Sequence, residues 1–104
     1  MEVRYYATSA GRSPGWDFIS TLSEPFRGQV LADLTVLARE GEKAPISKKS
    51  LKGHKPLWEL RIGGYRVLFV RQGDVFWVVG ACKKQDQARE IAACDKRVRD
   101  LLGS

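Results

Sequence analysis

Apolar residues recur at helical spacing in residues 26–38, where they lie three, four or one positions apart. This spacing forms one apolar stripe along a helix. The members of the stripe are Phe26, Val30, Leu31, Leu34, Leu37 and Ala38. Ser23 is a candidate N-cap, and Gly41 is the natural end of the helix. The stripe indicates a helix that packs on a core and carries no chemistry.

A strand and a shorter helix are predicted before this helix. The β-prone run Val3–Ala7 ends at a turn-rich stretch, residues 9–15. Residues 16–22 then predict a short helix, with Ser13 as a candidate cap and Pro14 in the first position. The two helices are expected to form a hairpin that covers the core.

Three β-prone runs follow in quick succession. They span residues 57–62, 65–70 and 75–79. Gly63-Gly64 separates the first two, and Gly73-Asp74 precedes the third. Both pairs are typical of two-residue hairpin loops, whose central residues favour positive φ. The runs therefore predict an antiparallel meander.

A last helix is predicted from about Gln87 to Leu102, with apolar residues along one side. The element order is then β-α-α-β-β-β-α. This order predicts an α+β fold, in which a small, mainly antiparallel sheet has the helical hairpin on one face and is followed by a C-terminal helix. The 104 residues fit one domain over positions 1–104.

The basic charge of the chain lies in its second part. The formal net charge is +6 and the pI is about 9.6. Residues 1–40 have a net charge of −1, and the remaining 64 residues have a net charge of +7. Such a distribution indicates a polyanion or an acidic protein as partner, although a basic surface that only confers solubility is an alternative.

Other features of the sequence indicate the cellular compartment of the protein. Glu2 and Arg4 interrupt the first apolar residues, and no apolar run approaches the roughly 18 residues of a membrane span, so neither a signal peptide nor membrane insertion is expected. Cys82 and Cys94 fit a reducing cytosol as free thiols. His54, the only histidine, lies far from both cysteines in the sequence, so no metal site is expected. A cytoplasmic protein without a cofactor is the resulting expectation.

Residues 43–55 form a predicted loop with five lysines and no acidic residue. The lysines are Lys43, Lys48, Lys49, Lys52 and Lys55. A run of this kind is either a solvated loop or an anchor for phosphate groups. Both interpretations stay open, and Lys48, Lys49, Lys52 and Lys55 are candidate nucleic-acid-binding residues.

The first hairpin places two arginines together. If Gly63-Gly64 is the whole loop, Arg61 lies directly opposite Arg66 on one face of the sheet. Glu59 shares that face, because it lies two residues before Arg61. In one interpretation Glu59 neutralises one arginine and the other points into water. In the other, the arginine pair is half of a phosphate clamp.

The clamp hypothesis extends to two lysines. If Gly73-Asp74 forms the second loop, Arg66 lies opposite Ala81, a small residue that would leave the face open. Lys83 would continue on the same face, and Lys84 follows at the start of the last helix. One register step would alter this arrangement.

Such a cluster could cleave RNA, whose 2′-OH is its own nucleophile. The reaction needs a proton acceptor, cations for the phosphorane and a donor for the leaving oxygen. Glu59 or His54 is the candidate acceptor, and Lys83 or Lys84 the candidate donor. Imidazole has the side-chain pKa nearest neutrality, but a lone loop histidine is often an exposed bystander. Trp77 shares the face of Arg66 and is the aromatic residue most suited to stack on a base, although such aromatics are usually core.

The segment Leu51 to Phe69, followed by Cys82-Lys83-Lys84 and a terminal helix, resembles the phage-type HigB branch of the RelE/ParE toxin superfamily. The specific elements are Leu-Lys-Gly, Trp-Glu-Leu-Arg, Tyr-Arg and Lys-Lys in that order. The resemblance implies a type II toxin with a cognate antitoxin protein. It also implies an endoribonuclease that cleaves mRNA on the ribosome, with Arg61, Arg66 and Lys84 at the family's basic positions. The free toxin is expected to be a monomer.

The sequence departs from RelE at two places. Glu59 stands where RelE has a lysine-rich strand, although the HigB branch commonly has Trp-Glu-Leu-Arg there. Residues 85–90 contain no tyrosine to match that of RelE. The identity of the general base is therefore open. ParE relatives with this fold inhibit DNA gyrase, so a non-catalytic gyrase inhibitor and a non-toxic nucleic-acid-binding module are the alternatives.

Overall fold

In the computed structural model, which describes residues 1–103, a five-stranded sheet carries helices on both faces. The strands are β1 (Glu2–Tyr5), β2 (Lys48–Ser50), β3 (Trp58–Ile62), β4 (Tyr65–Gln72) and β5 (Val75–Lys83). The α-helices are α1 (Pro14–Ser20), α2 (Phe26–Glu40) and α3 (Gln87–Leu102). Short 3-10 turns cover Gly41–Lys43 and Lys84–Asp86. The predicted α+β class and the C-terminal helix are confirmed.

The helix α1 starts at Pro14, the predicted first position, and ends at Ser20, two residues before the predicted end. The Thr21 hydroxyl donates to the carbonyl of Phe18 at 2.6 Å, which closes the last turn. Ser13 occupies the N-cap position, but its hydroxyl donates to the carbonyl of Tyr6 at 2.9 Å instead of accepting a bond from the helix. Ser13 is therefore the N-cap residue, as predicted, but its side chain connects the helix to the residue after β1 and does not cap the helix.

The helix α2 begins after Pro25, and Ser23 does not cap it with its side chain. Ser23 instead contributes its backbone carbonyl, which accepts a bond from the Arg27 N–H at 3.1 Å. The predicted end is confirmed, since Gly41 has a φ of 70°, a left-handed value that glycine adopts without strain.

The strand order is β1-β5-β4-β3-β2, with β1 parallel to β5 and all other neighbours antiparallel. The strand β2 lies inside the segment predicted as a lysine-rich loop. It pairs Lys48 with Leu60 and Ser50 with Trp58. Three polar residues give no β signal of their own, so β2 exists because β3 offers an open edge for pairing.

A β-bulge changes the register between β4 and β5. Leu68 pairs with Gly80 and Phe69 with Val78, which leaves Val79 as an extra residue on β5. Arg66 therefore lies opposite Cys82, and the predicted pairing with Ala81 is wrong.

The sheet separates two clusters of buried side chains. The helices α1 and α2 cover the larger cluster, which includes Ile19, Leu34, Leu37, Phe69 and Phe76. The helix α3 covers the smaller one, which includes Leu57, Leu68, Val70, Cys94 and Val98. The chain thus has the predicted helical hairpin on one face and the last helix on the other. No helix within residues 1–103 is long and apolar enough to cross a membrane.

Candidate nucleic-acid interface

The arginine pair on the first hairpin has the predicted geometry. Arg61 lies opposite Arg66, and Ile62 opposite Tyr65, across the two-residue loop. Both arginines meet Glu59: the Arg61 Nε lies 2.8 Å from Glu59 Oε2, and the Arg66 Nε lies 3.9 Å from Glu59 Oε1. One carboxylate therefore relieves the repulsion between two cationic neighbours.

The two arginines differ in exposure. Arg66 has a relative exposure of only 7%, and Glu59 is fully buried. The Arg66 Nη1 donates to the carbonyls of Gly63 and Tyr65 at 2.9 Å each, while its buried Nε has no hydrogen-bond partner among the residues described. The expectation that the second arginine points into water is therefore wrong, because Arg66 braces the hairpin tip from inside.

The helix α3 closes this face of the sheet. Its first residue, Gln87, donates a hydrogen bond from Nε2 to Glu59 Oε1. Arg61, by contrast, keeps 45% of its side chain exposed. The sheet face around Arg66 is therefore covered, although the small residue predicted opposite Arg66 was expected to leave it open. Arg61 is the arginine that a large anion can reach. Gln87 was missed at the sequence level because its contact depends on how α3 packs.

The last residue of β5, Lys83, and the residue after it, Lys84, lie in different surroundings. Lys83 lies opposite Tyr65, whose ring packs against Phe18 and Phe26 on the α1/α2 side. The predicted position of Lys83 on the Arg66 face is therefore wrong, and the cause is the bulge in β5. Lys84 is exposed, and its backbone N–H donates to the Gly64 carbonyl at 2.8 Å. This bond holds the start of α3 against the hairpin tip.

The basic segment before β3 is largely exposed. Lys49, Lys52 and Lys55 are exposed, whereas Lys48 is partly covered. The Lys48 Nζ donates to the Ala44 carbonyl at 3.2 Å and lies 5.8 Å from the centre of the Trp58 ring. Lys48 thus has a structural use, and the other three lysines are available to an anion.

Trp77 lies on the α3 face, as its parity with Arg66 predicted, since it pairs with Val70. The Arg4 guanidinium lies 5.7 Å from its ring centre, and its indole nitrogen is buried without a hydrogen-bond partner among residues 1–103. The ring is only partly exposed, so it serves mainly as packing at this position.

His54 is not joined to the arginine cluster. Its Nδ1 lies 3.0 Å from Asp95 Oδ2 on α3. Asp95 was not singled out from the sequence, because no local pattern links a loop residue to a helix 41 positions later. Within the part of the chain that the structure describes, no group of three or more metal-binding side chains is found.

Both cysteines are buried on the α3 side as free thiols. Burial raises the pKa of Cys82 to about 11 and the pKa of Cys94 to about 12. Neither thiol is therefore a nucleophile near neutral pH.

The fold is that of the RelE class of small α+β domains. A chain of the RelB–RelE antitoxin–toxin complex from Methanococcus jannaschii matches this structure with a TM-score of 0.63 at 12% sequence identity. The match covers 72% of this chain and 89% of that chain. At this identity the likeness establishes the fold, and it confirms the fold that the sequence resemblance implied.

The family follows from the sequence itself. The model of the family described as "Phage derived protein Gp49-like (DUF891)" matches residues 17–99. The chain therefore belongs to the Gp49-like family of phage-derived proteins. No curated protein sequence matches it.

Proposed function

We propose that this chain is the toxin of a type II toxin–antitoxin pair and that it cleaves mRNA on the translating ribosome. The observation that carries the proposal is the exposed cationic surface beside the first hairpin and the preceding loop. Its members are Arg61, Lys84, Lys49, Lys52 and Lys55. Family membership and the RelE-like fold support the same function, and the phage-type HigB branch remains the predicted subgroup.

The cationic surface suits the chemistry of RNA cleavage. Attack of the 2′-OH on the neighbouring phosphate builds negative charge on the phosphorane oxygens, which a guanidinium stabilises through paired hydrogen bonds. Arg61 is half-exposed and held by Glu59, so its position is fixed before RNA arrives. Lys84 is the candidate donor to the leaving oxygen, because Lys83 lies on the other face of the sheet. Arg66 and Glu59 lie beneath Arg61 and would meet RNA only if Gln87 moves aside.

The proposed partners follow from the same surface. An antitoxin that neutralises this protein would be acidic where it covers Arg61 and Lys84. The free toxin is proposed to be a cytoplasmic monomer. The RelE-like chain of Methanococcus jannaschii comes from an antitoxin–toxin complex, which supports a protein partner here.

The test is 5′-end mapping of cellular RNA shortly after induction of the protein. The wild type is expected to produce new ends within translated codons. Arg61→Ala and Lys84→Ala should reduce them by about 100-fold, the usual effect of losing one group that stabilises transition-state charge. Arg39→Ala is the matched control, because Arg39 is an exposed arginine on α2, which packs on the opposite face of the sheet. Growth arrest without new RNA ends would overturn the proposal and favour the gyrase inhibitor.

A further inference from the structure

A group of aromatic side chains lies beneath the tip of the first hairpin, on the sheet face that α1 and α2 cover. The centre of the Tyr65 ring lies 5.0 Å from that of Phe26 and 6.1 Å from that of Phe18. Tyr65 and Phe18 are partly exposed, and Phe26 has a relative exposure of 37%, although Val30 one turn later on α2 is fully buried. These three rings form the aromatic patch. It presents to solvent an apolar surface that the core does not use.

The aromatic patch touches the hairpin tip itself. A Cβ at Gly63 would lie 3.4 Å from Phe26 Cε1, whereas a Cβ at Gly64 would meet no atom within 4 Å. On the opposite side of the tip, the Gly63 carbonyl accepts a bond from Arg66, which lies opposite Arg61. No side chain therefore stands on the tip between the aromatic patch and the arginines of the α3 face. A strand of RNA that crosses the tip can contact both.

Two free cations flank the aromatic patch. Lys83 lies opposite Tyr65 at the end of β5, and both Lys83 and Lys84 are exposed. Among residues 1–103, neither ammonium group has a hydrogen-bond or ion-pair partner. The guanidinium of Arg27, the residue after Phe26, is by contrast paired with Glu24 at 3.1 Å. The surroundings of the exposed ring thus suit a ligand that carries negative charge.

A nucleotide combines the two properties that this surface complements. Its base offers a flat face to an aromatic ring, and its phosphate binds a cation, which is how many proteins hold single-stranded RNA. Trp77, the aromatic residue predicted for this role, packs on the α3 face instead. Trp16 is 40% exposed, but it packs against Tyr5 of β1, which β5 separates from the hairpin. Phe26 is therefore the exposed ring that lies beside the hairpin cations.

We propose that the aromatic patch stacks one unpaired base of single-stranded RNA and that Lys83 binds the phosphate next to that base. The inference rests on the proposed function for its ligand, and it adds a binding site on the other face of the sheet. Arg61 and Lys84 hold the strand on the α3 face, and the strand continues over the two-glycine tip to Phe26. Phe26 and Lys83 are binding residues, which set where the strand lies and take no part in bond breaking.

The test measures base stacking directly. The purified full chain is titrated at low salt into a short 2′-O-methyl RNA that contains one 2-aminopurine, whose fluorescence falls when it stacks on a ring. The wild type is expected to bind and quench it. Phe26→Leu keeps an apolar side chain without a ring face, so it should lose the quenching and bind about 10-fold more weakly. Trp16→Leu removes an equally exposed ring elsewhere and should behave like the wild type.

A second measurement needs no variant at the aromatic patch. The same RNA with an abasic unit in place of 2-aminopurine should bind the wild type about 10-fold more weakly, because no base is left to stack. Should Phe26→Leu fail to fold, this comparison still tests the proposal. Equal affinity of the wild type for the abasic and the intact RNA would overturn it.

The role of Lys83 is tested by the salt dependence of binding. Lys83→Gln removes one phosphate contact, so the slope of log affinity against log salt concentration should decrease by about 0.7. Lys96→Gln makes the same charge change at an exposed position on α3 and should leave the slope unchanged. An unchanged slope in Lys83→Gln would overturn its assignment to the phosphate.

The outcomes separate this inference from the proposed function. Loss of quenching in Phe26→Leu but not in Trp16→Leu supports the stacking site. Full quenching by Phe26→Leu, or a wild type that does not bind the RNA, overturns the inference and assigns the aromatic patch to a protein partner, while the mapping of cellular RNA ends still decides the nuclease proposal. Base-dependent binding without new RNA ends in cells would support the stacking site and overturn the nuclease.

Discussion

The two faces of the sheet bury different kinds of side chain. On the face covered by α1 and α2, the buried cluster is apolar and contains the aromatic side chains Phe69 and Phe76. The face covered by α3 carries the only two buried charged side chains among the residues described, Glu59 and Arg66. An ion pair of this kind adds little net stability, because the cost of removing charges from water offsets their attraction. The first face therefore stabilises the fold by apolar packing alone, whereas the second combines a smaller apolar cluster with a charged pair that adds little.

The largest effect is expected on the apolar face. Phe76→Ala removes a fully buried ring and should lower the free energy of unfolding by about 4 kcal/mol. Urea unfolding measures this change, and Leu31→Ala on the exposed side of α2 serves as the control. A loss for Phe76→Ala no larger than that of the control would break the contrast between the faces.

The next effect concerns the buried charges. Glu59→Leu leaves Arg66 buried without its carboxylate and should cost about 3 kcal/mol of unfolding free energy. The double variant Glu59→Leu/Arg66→Met removes both charges and should recover most of that loss. The same urea experiment compares the variants, and a double variant no more stable than the single one would contradict this account.

The smallest effect concerns the thiols of the α3 face. Because burial raises the pKa of Cys82 to about 11, only on the order of one thiol in a thousand is ionised at pH 8. The pKa of about 12 for Cys94 makes its thiolate rarer still. Alkylation of the native protein with iodoacetamide, followed by mass spectrometry, should be slow at pH 8 and fast in urea. Equal labelling rates with and without urea would show that α3 leaves its face open.

The same raised pKa values also make the stability of the protein depend on pH. They favour the folded state below the ordinary thiol pKa, and this contribution is lost as pH rises toward 11 and 12.

The sequence predicted both hairpins and the last helix, because those features depend on local signals. Gly63-Gly64 and Gly73-Asp74 set the loops, and Arg61 meets Arg66 as the loop length requires. The prediction of the sheet face on which Lys83 lies was wrong because of the bulge at Val79. There α1 and α3 approach β5 from opposite sides: a Cβ at Gly15 would lie 2.8 Å from Val78 Cγ1, and a Cβ at Gly80 would lie 2.5 Å from Cys94 Sγ. Packing of this kind leaves no mark in the local pattern.

The sequence predicted which residues belong to the candidate site better than it predicted how they are arranged. The register of the arginine pair follows from the loop, but the burial of Glu59 depends on Gln87, which approaches from another element. The partner of His54 is likewise supplied by α3. Sequence reasoning finds residues that share a strand or a hairpin, and it misses contacts that the docking of a distant helix creates.

The parallel pairing of β1 with β5 affects the order in which the molecule folds. Glu2 pairs with Val75 and Tyr5 with Val78, so β1 is synthesised about 70 residues before the strand with which it pairs. The Tyr6 hydroxyl donates to Asp100 across an even longer separation of 94 residues. Closing loops of this length carries an entropic cost and slows folding. During synthesis β1 therefore stays without its sheet partner until β5 has left the exit tunnel, and the sheet is completed in a late step.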